Sequence, residues 1–264
     1  MTRRTTASCL PSASASESAR DFTVAAFNAH WGFGRYGRLH GVRYDVAKVV
    51  RGFAADLVVV PESWRDIDGV GVLDDLRDDG YHVETLELMP LDLRPRSHNS
   101  DRHAVPYEGA WELAVCSRFP VVDRRLIPMG VVRTDAPGMR YALALTVTIA
   151  GVPVQIIGLH VSSKVWRLAP LQHLLTLRRG IVEGGPQILA GDFNFWGPPV
   201  GRIMRGWERP VRGRTYNSRR PHSQIDHVLV RGGIEALGGE VLGATPSDHR
   251  PVRARLRLLE GVTE

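Results

Sequence analysis

The chain has 264 residues, 43% of them hydrophobic and 23% charged, a composition typical of a folded globular protein. Its net charge of +6 and pI of about 9.8 suit a polyanionic partner, although a genome rich in G and C also raises the arginine content. The two cysteines, Cys9 and Cys116, exclude a disulfide scaffold and permit a reducing compartment, so we expect a cytoplasmic protein.

The amino-terminal residues differ in composition from the rest of the chain. They are rich in Ser, Ala and Thr and lack the apolar core of a secretory signal, so we predict a disordered tail over residues 1–20. The candidate chemical residues are spread from Asn28 to His249, which predicts one domain over residues 21–264. The longest apolar stretch, Tyr141–Val161, contains polar and turn residues and predicts two strands, so no membrane span is expected.

Hydrophobic periodicity and turn residues predict eleven strands and four helices in chain order. The predicted strands are Phe22–Phe27, Leu57–Val60, Tyr81–Leu86, Trp111–Cys116, Val121–Ile127, Tyr141–Ile149, Val154–Val161, Gln187–Ala190, Ile225–Val230, Glu235–Val241 and Val252–Leu258. The predicted helices are Tyr44–Phe53, Ile67–Asp78, Leu168–Glu183 and Val200–Arg205. Many strands with few helices indicate an α/β fold of two packed mixed sheets flanked by helices.

The segment Ile188–Asn194, ILAGDFN, places an acid and an amide two residues apart at the end of an apolar strand. Strand alternation would put Asp192 and Asn194 on one side, where they can position a water against a phosphorus atom. Taken alone, the same residues equally suit an Asx turn that closes a buried strand.

Other predicted strands also end in polar residues, as expected for a cleft at a sheet edge. Each has a structural alternative: Asn28 as a turn residue, Glu62 as the leading carboxylate of a helix, and His160 as an interior histidine. Asp226-His227 and Asp248-His249 can be internal ion pairs. The joint pattern of repeated Asp and His at strand ends favours a shared site.

Arginines cluster in and after the last predicted helix, opposed locally by Glu208 alone. A solvated basic face and a phosphate-binding rim are both open interpretations. Of this run we assign Arg212 and Arg214 to substrate binding. The run consists of Arg202, Arg205, Arg209, Arg212, Arg214, Arg219 and Arg220.

Several blocks resemble the ordered signatures of the endonuclease/exonuclease/phosphatase superfamily, which includes pancreatic deoxyribonuclease. They are FTVAAFNAHWG, DLVVVPESW, VQIIGLHVSS, ILAGDFNFW, TYNSRRPHSQIDHVLV and TPSDHRPV, from about Phe22 to Leu258. The resemblance implies a deoxyribonuclease I-like four-layer α/β sandwich and divalent-metal-dependent hydrolysis of a phosphate ester. We expect a monomeric nuclease that acts on nucleic acid or another phosphate ester.

The resemblance also implies roles for residues of this chain. Glu62 would be the principal Mg²⁺ ligand, with Mn²⁺ as a substitute, Asn28 beside it and Asp248 adding negative charge. Asp192 would orient or deprotonate the attacking water, and Asn194 would hold that water or a phosphoryl oxygen.

Two histidines complete this set. His249 would contact the phosphate while Asp226 accepts its other ring proton. His160 would bind phosphate or protonate the leaving oxygen.

Two features depart from the family pattern or leave it open, and two alternative functions remain. Pro61 precedes Glu62 where the family commonly has Gln, which predicts altered bonding around the metal but no loss of it. Tyr107 is a candidate for contact with the leaving group, and Glu108 is an alternative partner of His160. A lipid or inositol phosphate phosphoesterase, and an inactive binding module, remain alternative functions; the polar loop Met89–Tyr107 argues against a lipid.

Overall fold

The computed structural model describes residues 20–35, 41–92, 108–133, 135–165 and 168–259. All of the predicted tail except Arg20, together with Tyr107 and most of the loop before it, lies outside the described residues. The strands are β1 Asp21–Ala26, β2 Leu57–Asp66, β3 His82–Asp92, β4 Glu108–Ser117, β5 Val121–Val131, β6 Met139–Ile149, β7 Val152–His160, β8 Gln187–Asp192, β9 Asp226–Arg231, β10 Ile234–Val241 and β11 Val252–Leu258. The α-helices are α1 Val46–Arg51, α2 Ala169–Gly180 and α3 Gly197–Ile203.

The described strands form two mixed sheets that pack face to face. One sheet has the order β10-β11-β1-β2-β4-β3, and the other has the order β5-β6-β7-β8-β9. The β1–β2 and β7–β8 pairs are parallel, while the remaining neighbours are antiparallel. Alternating apolar residues of both sheets fill the space between them, for example Val24 and Leu57 from one sheet and Ile156 and Ile188 from the other.

Helices cover the outer faces of the two sheets. Val46 and Val50 of α1 pack on the outer face of β1, β2 and β4, and Leu174 and Leu177 of α2 pack on the opposite side of the sandwich. Asp45 caps α1, because its side chain accepts a hydrogen bond from the Lys48 amide at 2.7 Å. The predicted two-sheet α/β sandwich is therefore confirmed. In the described part of the chain, no helix is both long and apolar enough to cross a membrane.

The predicted helix over Ile67–Asp78 is wrong. Its segment contains turns and a single short 3₁₀ turn at Asp74–Leu76. The Asp66 carboxylate accepts the Val70 amide at 2.8 Å, and the Asp74 carboxylate accepts the Gly71 amide at 2.7 Å. These side chains satisfy backbone donors locally and so compete with helical hydrogen bonds.

The second predicted strand, Leu57–Val60, does not end at Pro61. It continues to Asp66 as β2, and its pairing with β4 shifts between Val60 and Ser63. The extra residues form a bulge in which Glu62 has a positive φ of 52°. The alternative that Glu62 leads a helix is therefore wrong, and the bulge re-aims its side chain at the edge of the sheet.

Candidate active site

Three strands of the smaller sheet bring acidic and imidazole side chains to one edge. His160 of β7 pairs directly with Asp192 of β8, which pairs directly with Asp226 of β9. Residues directly opposite each other on neighbouring strands share a face of the sheet, so these three side chains are adjacent. Gly191 allows the close approach of β7 and β8: its φ is +136°, and a Cβ there would lie 2.1 Å from the Leu159 carbonyl oxygen.

The larger sheet supplies Asn28, which follows β1, and Glu62, which lies in the β2 bulge. The Asn28 side-chain amide donates to Glu62 Oε1 and to Asp192 Oδ2, each at 3.1 Å. Asn28 Oδ1 accepts the His30 amide at 3.0 Å, and its backbone carbonyl accepts the Ser247 hydroxyl at 2.7 Å. Asn28 is thus both a turn residue and the bridge that holds two carboxylates from different sheets together.

Asp192 is held by the turn that follows β8. Its Oδ1 accepts the Asn194 backbone amide at 2.8 Å, and its Oδ2 accepts the Asn194 side-chain amide at 3.2 Å. The first bond closes an Asx turn, so the turn interpretation and the chemical interpretation of this segment both apply. The other Asn194 side-chain donor bonds the Val161 carbonyl oxygen at 3.0 Å, so this amide fixes the orientation of the Asp192 carboxylate.

Burial, followed by the nearby charge of Asp226, raises the pKa of Asp192 to about 7. Burial likewise raises the pKa of Glu62, against the opposing effects of the imidazoles of His30 and His249. Both carboxyls therefore hold a proton more strongly than a solvent-exposed acid would.

His249 forms a buried dyad with Asp226. Its Nδ1 lies 2.9 Å and 3.1 Å from the two Asp226 carboxylate oxygens. Burial opposes the charged ring, but Asp226 and then Asp192 outweigh burial and raise the pKa of His249 to about 10. His249 is therefore protonated at neutral pH, and its Nε2 faces Asp192 Oδ2 at 4.0 Å.

His160 is in the opposite electrostatic state. Burial, followed by the positive charge of Arg140, holds the pKa of His160 well below its usual value, so the ring is neutral. Its Nε2 lies 3.6 Å from both Glu62 Oε1 and Asp192 Oδ2. Arg140 is buried, forms an ion pair with Asp135, and donates to the His160 carbonyl oxygen at 3.0 Å.

A cleft with a volume of about 560 Å³ is lined by Glu62, His160, Asp192, Asn194 and His249. Aromatic side chains that sequence reasoning did not single out form part of its walls, namely Trp31, Trp111 and Tyr216. The Trp111 ring contacts the His160 ring at 5.3 Å between centroids, and the Tyr216 ring contacts His249 at 5.0 Å. Trp31 and Tyr216 lie within quoted signature blocks and Trp111 begins a predicted strand, but no sequence pattern shows that these distant segments meet around one cleft.

The cleft contains donor atoms suited to a divalent cation. Asp192, Asp226 and His249 offer ligand atoms within 4.8 Å of one another and can in principle hold a metal. In this set the proton shared with Asp226 occupies His249 Nδ1, and a protonated ring has no lone pair for a metal. Asp192 instead presents a buried carboxylate and Glu62 a partly buried one, and a hard cation would offset their charge. The residues present therefore fit a divalent cation beside Glu62.

The remaining predicted residues lie at different distances from this centre. Asp248 lines the cleft, and its Oδ1 is buried without a hydrogen-bond partner among the described residues. Arg212 and Arg214 are exposed and lie outside the described cleft lining. Glu108 is exposed and lines a separate cavity beside β2 and β3, whereas Glu62 and Asp192 face His160 Nε2. The prediction for Tyr107 falls outside the described residues.

The chain is similar to known proteins along almost its whole length. The sequence model of the Endonuclease/Exonuclease/phosphatase family matches residues 25–249. The Escherichia coli K12 protein YbhP is 24% identical over 252 residues, which cover 90% of this chain and 96% of YbhP.

Solved structures share the fold. An endonuclease/exonuclease/phosphatase from Beutenbergia cavernae has a TM-score of 0.70 at 24% identity and covers 91% of this chain and 72% of its own. The mannosyl-6-phosphatase Bt3783 of Bacteroides thetaiotaomicron has a TM-score of 0.64 at 18% identity and covers 89% of this chain and 99% of its own.

Proposed function

Because the chain belongs to the Endonuclease/Exonuclease/phosphatase family, we propose that it is a divalent-metal-dependent phosphodiesterase that acts on nucleic acid as a nuclease. Members of this family are generally hydrolytic phosphoesterases.

The observation that carries the proposal is the hydrogen-bonded group at the base of the cleft. Asn28 joins Glu62 to Asp192 at 3.1 Å on each side, and His249 faces Asp192 from the Asp226 dyad. A place for a cation, a base and a positive hydrogen-bond donor therefore surround one space. These are the three requirements for attack of water on a phosphate ester.

Asp192 is the proposed general base. In the metal-free protein burial raises its pKa to about 7, so this carboxylate is a stronger proton acceptor than an ordinary exposed one. Asn194 keeps the carboxylate in one orientation, so the attacking water meets a fixed acceptor. In this role Asn194 is a positioning residue; to bind a phosphoryl oxygen, its side chain would have to release one of its present acceptors.

The two histidines have different proposed roles because their charges differ. His249, protonated and held by Asp226, donates from Nε2 to a phosphoryl oxygen as negative charge builds there. His160 is neutral, so in this proposal its Nε2–H donates a hydrogen bond to the leaving oxygen, which takes its proton from solvent water. Glu62, with Asp248 and Asn28 nearby, would hold the Mg²⁺ or Mn²⁺ ion, which neutralises charge on the phosphate when bound.

The charge of the segment that precedes Asp226 favours nucleic acid over a lipid. Five arginines and no acidic residue lie between Glu208 and Asp226, the segment that leads into the site. Arg212 and Arg214 are its exposed rim in this proposal, where guanidinium groups attract phosphates along a strand. A lipid phosphoesterase would instead present an apolar rim for its membrane substrate.

The proposal is tested by an activity panel with the purified protein in Mg²⁺, in Mn²⁺ and with a chelator. Substrates are supercoiled and nicked DNA, single-stranded RNA, sphingomyelin and inositol phosphates. We expect metal-dependent cleavage of DNA or RNA that stops with chelator. Hydrolysis of only sphingomyelin or inositol phosphates would move the function to the alternative phosphoesterases. No turnover on any substrate with either metal would favour a binding module.

A further inference from the structure

We propose that Arg219 and Arg220, together with His222, form a second phosphate subsite that binds a phosphate of the substrate strand other than the one being hydrolysed. The inference rests on the proposed nuclease function. Within the basic run, these two arginines line a cavity next to the catalytic cleft.

The subsite is a cavity of about 560 Å³ lined by Asn217, Arg219, Arg220 and His222. The two arginine side chains are exposed, and within the described ranges no carboxylate lies within ion-pair distance of either. Guanidinium groups match phosphate oxygens with two parallel N–H donors, and this pair lacks a competing carboxylate from the described part of the chain. The chemistry therefore suits a phosphate group.

Tyr216 separates this cavity from the catalytic cleft. Its ring centroid lies 5.0 Å from that of His249 and 5.4 Å from that of His222, so the two imidazole rings are no more than about 10 Å apart. One nucleic-acid strand advances about 3.4 Å per nucleotide along a duplex axis. The subsite is thus no more than about three nucleotides from the phosphate that His249 would contact.

The loop that carries the arginines is fixed to the residues on either side of His249. The Ser218 amide donates to the Asp248 carbonyl oxygen at 2.7 Å, and Arg250 Nε donates to the Ser218 carbonyl oxygen at 2.7 Å. The His222 amide closes the loop by donating to the Tyr216 carbonyl oxygen, also at 2.7 Å. Because the loop is held in this way, the spacing between the two phosphate positions is set before substrate binds.

The test compares substrates with one phosphate and with many. Bis(p-nitrophenyl) phosphate contains a single phosphodiester, whereas a single strand of about twelve nucleotides fills both positions. In Arg219→Ala/Arg220→Ala we expect KM for the strand to rise about tenfold or more, while kcat/KM for the small diester stays within about twofold. The slope of strand affinity against salt should fall by about 0.7 for each phosphate that the variant no longer neutralises.

The matched control is Arg178→Ala/Arg179→Ala, another adjacent arginine pair, in the last turn of α2. An equal rise in KM for the strand in the control and test variants would show general charge attraction and overturn the subsite. An unchanged KM for the strand in the test variant would also overturn it. If the alanine variant loses activity on both substrates, the same assays are repeated with Arg219→Lys/Arg220→Lys, which keeps the positive charges. Loss of activity on both substrates in this variant as well would overturn the subsite.

Failure of the proposed function gives a different result. In that case the unsubstituted protein hydrolyses neither substrate with any metal. The subsite is then tested by fluorescence anisotropy of a labelled strand, whose affinity should still fall about tenfold in Arg219→Ala/Arg220→Ala. An equal affinity would overturn the subsite independently.

Discussion

Replacing Asp192 with Asn should abolish catalysis and, in the metal-free protein, raise stability. The substitution keeps the size of the side chain but removes the proposed base, so kcat should fall by about 10²–10⁴-fold. The gain in stability follows from burial, which makes the charged carboxylate less favourable in the folded protein than in the unfolded chain.

The magnitude follows from the pKa of Asp192, which folding raises from 3.8 to about 7. At about 1.4 kcal/mol per pKa unit, the ionised carboxylate destabilises the metal-free fold by roughly 4 kcal/mol at most. The new amide offsets part of this gain, since its NH₂ group would meet a donor from Asn28 or from Asn194 where a carboxylate oxygen now accepts. Such an unmatched pair costs about 1–3 kcal/mol, so we expect a net gain of about 1–3 kcal/mol.

The sign of the effect sets its pH dependence. Below pH 3.8 the carboxyl is protonated in both states, so the charge-related gain is absent; it grows as pH rises and is complete above about pH 7. Calorimetric unfolding with chelator at pH 4 and pH 8 measures the gain in stability. Hydrolysis of bis(p-nitrophenyl) phosphate in Mg²⁺ measures the loss of catalysis. Asp123→Asn, an exposed site on β5, is the control. Near-normal turnover in Asp192→Asn would refute the base, and a lower melting temperature than the unsubstituted protein at pH 8 would refute the burial argument.

Three further substitutions test other parts of the account. Asp226→Asn removes the main charge that raises the pKa of His249, so the alkaline limb of the pH–rate profile, expected near pH 10, should move down by at least about one unit; an unmoved limb would exclude His249 as its source. Glu62→Gln should raise the Mg²⁺ concentration for half-maximal rate about tenfold or more, because a carboxylate ligand is lost; an unchanged metal titration would contradict the ligand assignment. Gly191→Ala should lower the free energy of unfolding by more than about 2 kcal/mol in a denaturant titration, because its Cβ would meet the Leu159 carbonyl oxygen at 2.1 Å. The matched Gly201→Ala meets no atom within 4 Å and should be neutral or stabilising; equal loss in both would reject the close-approach argument.

Much of the fold can be predicted from sequence because apolar periodicity in strands is strong. The last predicted strand, Val252–Leu258, has the same bounds as β11, since its alternating apolar residues lie on a buried face. The structure of Ile67–Asp78 cannot be predicted in this way. In that segment the carboxylates of Asp66 and Asp74 accept backbone amides and stabilise turns. The spacing of hydrophobic residues carries no information about these hydrogen bonds.

The sequence places several residues of the candidate site at strand ends, but it does not predict the contacts between them. The sequence places Asn28 and Asp192 at strand ends, while their hydrogen bond across 164 positions depends on how the two sheets pack. The bulge at Glu62 is likewise a property of strand pairing with β4. Arg140 and Trp111, which both contact His160, carry no local signal, because their roles come from tertiary contacts.

The position of the bound cation shows whether Glu62 is the metal ligand. Crystals soaked in Mn²⁺, measured for anomalous scattering, give the metal position without any assumption about activity. The account predicts a peak about 2 Å from a Glu62 carboxylate oxygen, on the side of the cleft that Asp192 faces. A peak held by Asp226 and His249 with Glu62 turned away, or no peak at Glu62 at saturating Mn²⁺, would contradict it.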